Sequence, residues 1–305
     1  MTGAGPDLFA DLPGGPRICH RVEGPEDGAP VLLVAGLGLD LTSWPRRMVE
    51  GLLERGSRVI VFDNRDAGRS TRIATPPPSP LHSLLGRARP DSYDLGDMAA
   101  DTVGLLDHLG IARAHLVGMS MGGMIGQTVA ARHPDRVATL TSIFSTTGGR
   151  GVGRVAWSTL ARMGKRPART AQESVERHLA MLAHIGSAVF PPDRDEEVAW
   201  AARAWERAGG VRSRGGVPRQ IGAIHASGDR TGELARITAP TLVIHGDTDR
   251  MVHPSGGRAT ALAVPGARHV EVEGMAHHLA PGVVPRLVGL IADHLVRGAR
   301  GAGRY

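Results

Sequence analysis

The sequence has one cysteine, one lysine, an aromatic content of only 3% and no apolar run long enough to cross a bilayer, and each scarcity excludes something. With Cys19 alone, no intramolecular disulfide can form, and no paired Cys/His spacing points to zinc or another metal. A buried, inert thiol is expected. A membrane-spanning helix needs about 18 consecutive apolar residues, and none occur. Met1 to Gly15 lacks the basic and apolar regions of a signal peptide, so a soluble, cytoplasmic protein without a membrane partner is expected. The formal charge of +6 and the pI near 10.7 raise the question of nucleic acid. However, 35 of the 36 basic residues are arginines scattered along the chain, with Lys165 as the one lysine. They form no stripe with interleaved aromatics, so no nucleic-acid partner is expected.

What is present belongs to a folded α/β chain. The 42 glycines and 21 prolines are dispersed among apolar runs, and 305 residues with 41% hydrophobic content can bury a substantial core. Short β-branched runs bounded by glycine or proline predict buried parallel strands at Val31–Val34, Arg58–Asp63, His115–Gly118, Ala138–Ser142, Thr241–His245 and His269–Val272. Between them, Tyr93–Leu109 repeats apolar residues at helical spacing and stops at Gly110. Such alternation predicts a parallel sheet covered on both faces. The rhythm breaks between about Thr146 and Arg236, where helical patterns occur without a convincing strand. There, Val175, Leu179, Leu182 and Ile185 share one face, as do Val198, Ala201, Ala202 and Trp205. The expected organisation is a core of residues 1–145 and 237–305 with an inserted helical cap of residues 146–236. Thr75–Pro80 is expected to be a surface loop.

Gly118-Met-Ser-Met-Gly122 leaves an apolar strand and enters a helical segment, Met124 to Arg132. A turn tight enough to expose a serine hydroxyl between strand and helix needs small residues on either side, and it sets the serine at a helix N-terminus that favours negative charge. Ser120 is therefore a candidate nucleophile, and it requires a base and a group to orient that base. Loops following the strands that begin at Thr241 and His269 offer Asp247 or Asp249 and His277 or His278. Each loop lies at the C-terminal edge of its strand, where parallel sheets place ligands.

Over residues 17–297 the chain resembles the α/β-hydrolase family. Within it, Phe62-Asp-Asn-Arg-Asp-Ala-Gly-Arg-Ser70, the Ser120 pentapeptide and Gly274-Met-Ala-His277 resemble aclacinomycin methylesterases and related polyketide esterases. The resemblance implies an α/β-hydrolase fold with a mostly parallel sheet of the eight-stranded type. It selects Asp249, by the pattern G-x-x-D, and His277, by the glycine three residues before it. It implies oxyanion donors at the backbone N–H groups of Met121 and Leu37, the latter in Ala35-Gly36-Leu37-Gly38. Ala35 departs from the family's histidine, leaving open how that loop is braced. Asp63 and Asp66 are expected to hold the loop after their strand.

These expectations amount to acyl transfer through Ser120, without a metal or organic cofactor, on a small hydrophobic ester. Serine, rather than aspartate, at the turn argues against an alkyl-enzyme ester. Gly36 and the large cap residues Trp157, Met181, Phe190 and Trp205 are expected to contact substrate, which suits a polyketide methyl ester. Two alternatives stay open: a thioesterase releasing a polyketide acyl chain from a carrier protein, and a ligand-binding receptor on a hydrolase scaffold. Oligomeric state has no signature in the sequence.

Overall fold

Strands that are apolar at nearly every position can be covered on both faces, and five of those in the sheet, all but one of its parallel strands, are close to this kind. The computed structural model describes residues 5–79, 87–163, 167–210 and 215–302. Its sheet contains β1 (Leu8–Asp11), β2 (Arg17–Glu23), β3 (Ala29–Val34), β4 (Ser57–Phe62), β5 (Ala114–Met119), β6 (Val137–Ile143), β7 (Thr241–Gly246) and β8 (Arg268–Val272). The strand order is β1-β2-β4-β3-β5-β6-β7-β8, antiparallel from β1 to β4 and parallel thereafter. β3 to β8 are the six strands expected from sequence. The antiparallel pair β1 and β2 was not expected, because neither segment is a continuous apolar run.

Alternation along the buried strands sends their side chains into two cores. Leu32, Val34, Ile60, Phe62 and Leu116 meet α2 (Leu95–His108) and α3 (Met121–Arg132) on one face. Val31, Leu33, Val59, Val61 and Val117 meet α1 (Arg46–Leu53) and α10 (Val284–Ala302) on the other. Helix α2 starts where Asp94 and Asp97 form a reciprocal capping box. Among the described residues, no helix is long and apolar enough to cross a membrane.

Between β6 and β7 the described residues contain five helices and no strand: α4 (Trp157–Met163), α5 (Ala171–Ile185), α6 (Arg194–Arg207), α7 (Gly216–Ser227) and α8 (Thr231–Leu234); α9 (Ser255–Ala263) follows β7. This insertion is fastened to the sheet by charge. At the end of α6, the Arg207 guanidinium meets Asp7, Asp63 at 2.7 Å and Asp40 at 3.3 Å. On α7, Arg219 grips both oxygens of Asp66, at 2.6 and 2.9 Å. Asp63 also accepts the backbone N–H groups of Leu41 and Arg69, and Asp66 that of Ile73, so both aspartates brace the loop after β4. Burial pushes the Asp63 carboxyl up to about 6, against the pull of Arg207. Thr75–Ser79 is irregular. Pro80 of the expected loop lies outside the described residues, as do 1–4 and 303–305 of the expected core and 164–166 and 211–214 of the expected cap.

Candidate active site

β5 delivers the chain to Ser120, which takes φ 55°, ψ −121° before α3 begins. This left-handed residue is strained for a side chain with a β-carbon and turns the hydroxyl out of the sheet. The neighbouring glycines are dictated by contact. A β-carbon on Gly118 would sit 2.2 Å from the Gly122 carbonyl oxygen. The turn is tied down by the Ser120 N–H donating to the Ile143 carbonyl at 2.9 Å and by the Ser145 hydroxyl donating to the Ser120 carbonyl at 2.8 Å.

The loops after β7 and β8 converge on this turn. His277 Nε2 lies 3.0 Å from Ser120 Oγ, and its Nδ1 lies 2.7 Å from Asp249 Oδ2. An ionised carboxylate can only accept, so Nδ1 carries the proton and Nε2 is left to accept from the serine hydroxyl. The other Asp249 oxygen accepts the N–H groups of Met251 and Val252, each at 2.8 Å. Burial opposes ionisation of Asp249, but the nearness of His277 and His245 and the hydrogen bond from His277 outweigh it and hold the carboxyl far below the usual range. His245 Nε2 donates to the Val252 carbonyl at 2.8 Å and lies 3.4 Å from Asp249.

The rival residues have other partners. Asp247 accepts the Gly274 N–H at 2.7 Å, joining the two loops, while His278 turns away to Glu197. Sequence reasoning missed Glu197. It sits on α6 and also meets His178 of α5 at 2.6 Å, so one carboxylate in the insertion binds two imidazoles. Phe144, at φ 38°, places its ring centroid 4.5 Å from that of His277.

Gly36 packs beside Ser120, where a β-carbon would lie 3.3 Å from the serine β-carbon, and with Leu37 and Ser120 it lines a cavity of about 700 Å³. The loop that carries them is held without the family's histidine. The Asn64 amide donates to the Ala35 carbonyl at 3.0 Å, and Gln220 of α7 accepts the Gly38 N–H at 2.8 Å while donating to Arg65 O at 2.9 Å. Among the described residues, the Leu37 N–H has no hydrogen-bond acceptor.

Of the four large insertion residues expected at substrate, Met181 lines the cavity, and beside it stands Trp200, which was not among them. The expectation is corrected for three others. Trp157 stands at the outer start of α4, 87% exposed. Phe190 packs on the apolar core beside Gly282, and the Trp205 indole lies over Gly210. Helical spacing identifies an apolar face but not what that face meets.

The profile of the α/β-hydrolase fold family matches residues 29–280. The chain belongs to this family. Rhodomycin D methylesterase DnrP of Streptomyces peucetius is 32% identical to this α/β hydrolase over 289 residues, 87% of this chain and 90% of that protein. The enol-lactonase of Burkholderia xenovorans LB400 is similar in structure, with a TM-score of 0.71 at 25% identity over 95% of this chain and all of that one. Esterase RhEst1 of Rhodococcus sp. ECU1013 shares the fold, with a TM-score of 0.73 at 21% identity over 95% and 98% of the two chains. This α/β hydrolase is a serine hydrolase that cleaves a carboxylic ester of a small molecule.

Proposed function

We propose that Ser120 is the nucleophile, His277 the base and Asp249 the residue that orients it, and that the substrate is the methyl ester of a polyketide-type polycyclic acid. The observation that carries the catalytic assignment is the two-sided contact of His277, 3.0 Å from Ser120 and 2.7 Å from Asp249. Similarity to a rhodomycin D methylesterase supports the substrate class, as does a largely apolar cavity of about 700 Å³, which accommodates a ligand of several fused rings.

In the proposed reaction, His277 Nε2 takes the Ser120 proton as Oγ attacks the ester carbonyl. The resulting oxyanion is received by the N–H groups of Met121 and Leu37. Collapse expels methanol, protonated by His277, and leaves an acyl-enzyme on Ser120. Water deprotonated by the same imidazole attacks the acyl carbon and releases the acid. Ionised Asp249 keeps Nδ1–H directed away from Ser120 throughout. Residues 146–236 act as a cap, and Gly36, Met181 and Trp200 contact the acyl group.

The test is hydrolysis of polycyclic methyl esters and p-nitrophenyl esters by the wild type and Ser120→Ala, with mass spectrometry after fluorophosphonate treatment. Ser120→Ala is expected to lose turnover and the label. Full turnover in that variant would refute the nucleophile, and preference for acyl thioesters on a carrier protein over methyl esters would replace the substrate class. Labelling of Ser120 with ligand binding but no turnover would favour a receptor.

A further inference from the structure

The loop bearing His277 is held from two sides. From the sheet, Asp247 and Thr248 bond to Gly274 and Met275. From the insertion, the Ser187 hydroxyl donates to the Gly274 carbonyl, the Ile185 carbonyl accepts the His277 N–H at 3.1 Å, and Glu197 takes His278 at 2.9 Å. Gly274 is pressed so closely on this segment that a β-carbon there would lie 2.7 Å from Val189. Burial opposes charge on Glu197, but hydrogen bonds from His178 and His278 hold its carboxyl at about 2. Glu197 is thus an ionised acceptor, and both imidazoles donate Nε2–H to it.

We propose that Glu197 is a positioning residue for His277, acting through His278. His277 and His278 share a peptide bond, so anchoring one side chain fixes the backbone from which the other reaches Ser120. Misplacement of a reacting group by about 1 Å can cost on the order of a hundredfold in rate. The insertion is then part of the acid–base apparatus as well as a lining for the substrate. This inference rests on His277 being the base.

The experiment uses the full-length protein, a p-nitrophenyl ester and a fluorophosphonate. Glu197→Ala is expected to lower kcat roughly 10- to 100-fold with KM changed less than about twofold, and to slow labelling of Ser120 by the same factor. Glu197→Gln, which still accepts from His278, is expected to restore kcat to within about threefold. His278→Ala should reproduce the loss, and the double variant should be no slower than either single one, because both remove the same tether. A rise in KM with kcat unchanged would overturn the proposal, as would multiplicative losses in the double variant. If Glu197→Ala does not fold, by circular dichroism, His278→Ala decides alone: an unchanged kcat and labelling rate overturn the proposal. Retained turnover in Ser120→Ala would instead signal failure of the underlying serine mechanism.

Discussion

A β-carbon on Gly122 would stand 2.0 Å from the Val34 carbonyl oxygen. That approach lets the first turn of α3 rest against the end of β3, bringing the Met121 N–H towards the loop that carries Leu37. Both sides of the contact are backbone, so no flexible side chain can yield. Gly122→Ala is expected to destabilise the fold by about 1–3 kcal/mol or more, the range for overpacking a filled interior. Urea denaturation measures it, and an unchanged midpoint would contradict the stated contact.

Asp249→Asn keeps an oxygen for the Met251 and Val252 N–H groups but replaces the carboxylate that fixes the His277 tautomer. A fall in kcat on the order of 10⁴ is expected, with the variant still folded. Steady-state hydrolysis together with the Ser120 labelling rate checks it; a loss confined to KM would argue against the orienting role.

Gln220 braces the proposed oxyanion loop from the insertion. Gln220→Met removes the acceptor for the Gly38 N–H and the donor to Arg65 O. Leu37 keeps its N–H but loses its brace, so a fall in kcat of roughly tenfold is expected, short of the 10²–10³ for deleting an oxyanion donor. Kinetics on one ester at saturating concentration suffices, and a wild-type kcat would show that Asn64 holds the loop unaided.

Arg207→Met leaves Asp7, Asp40 and Asp63 near one another without their shared cation. Removing one partner of a buried ion pair costs about 3–5 kcal/mol. The sign with pH follows from Asp63, whose folded value of about 6 lies above that of an unfolded aspartate, about 3.9. Its contribution to stability is fully present below the unfolded value and is lost as pH rises through the folded one. Without Arg207 the folded value climbs further, so the variant's deficit in urea midpoint should be larger at pH 8 than at pH 5. Equal deficits at both would exclude charge as the cause.

The parallel strands were legible because burial on both faces leaves apolar runs in the sequence, as in Val31–Val34 and Thr241–Ile244. β2, with Cys19, His20 and Arg21 in its centre, leaves no such trace, since it runs antiparallel near the sheet edge and only three of its seven residues are buried. The Ser120 turn was legible because its contacts are local and demand glycine. The Glu197–His278 contact was not, because it joins residues 81 apart and neither residue type is unusual on a surface. Trp157 and Trp200 differ only in the neighbours that the fold supplies, which residue size does not encode.

The Gly38–Gln220 hydrogen bond spans 182 positions of the chain, with a consequence for how the protein comes into being. During synthesis the proposed oxyanion loop and the Ser120 turn emerge early. The glutamine that steadies the first, the arginine that neutralises Asp63 and the histidine that faces the second follow long after. A nascent chain halted before Gln220 therefore holds the proposed nucleophile in a segment without its proposed base and without the brace on its neighbouring loop.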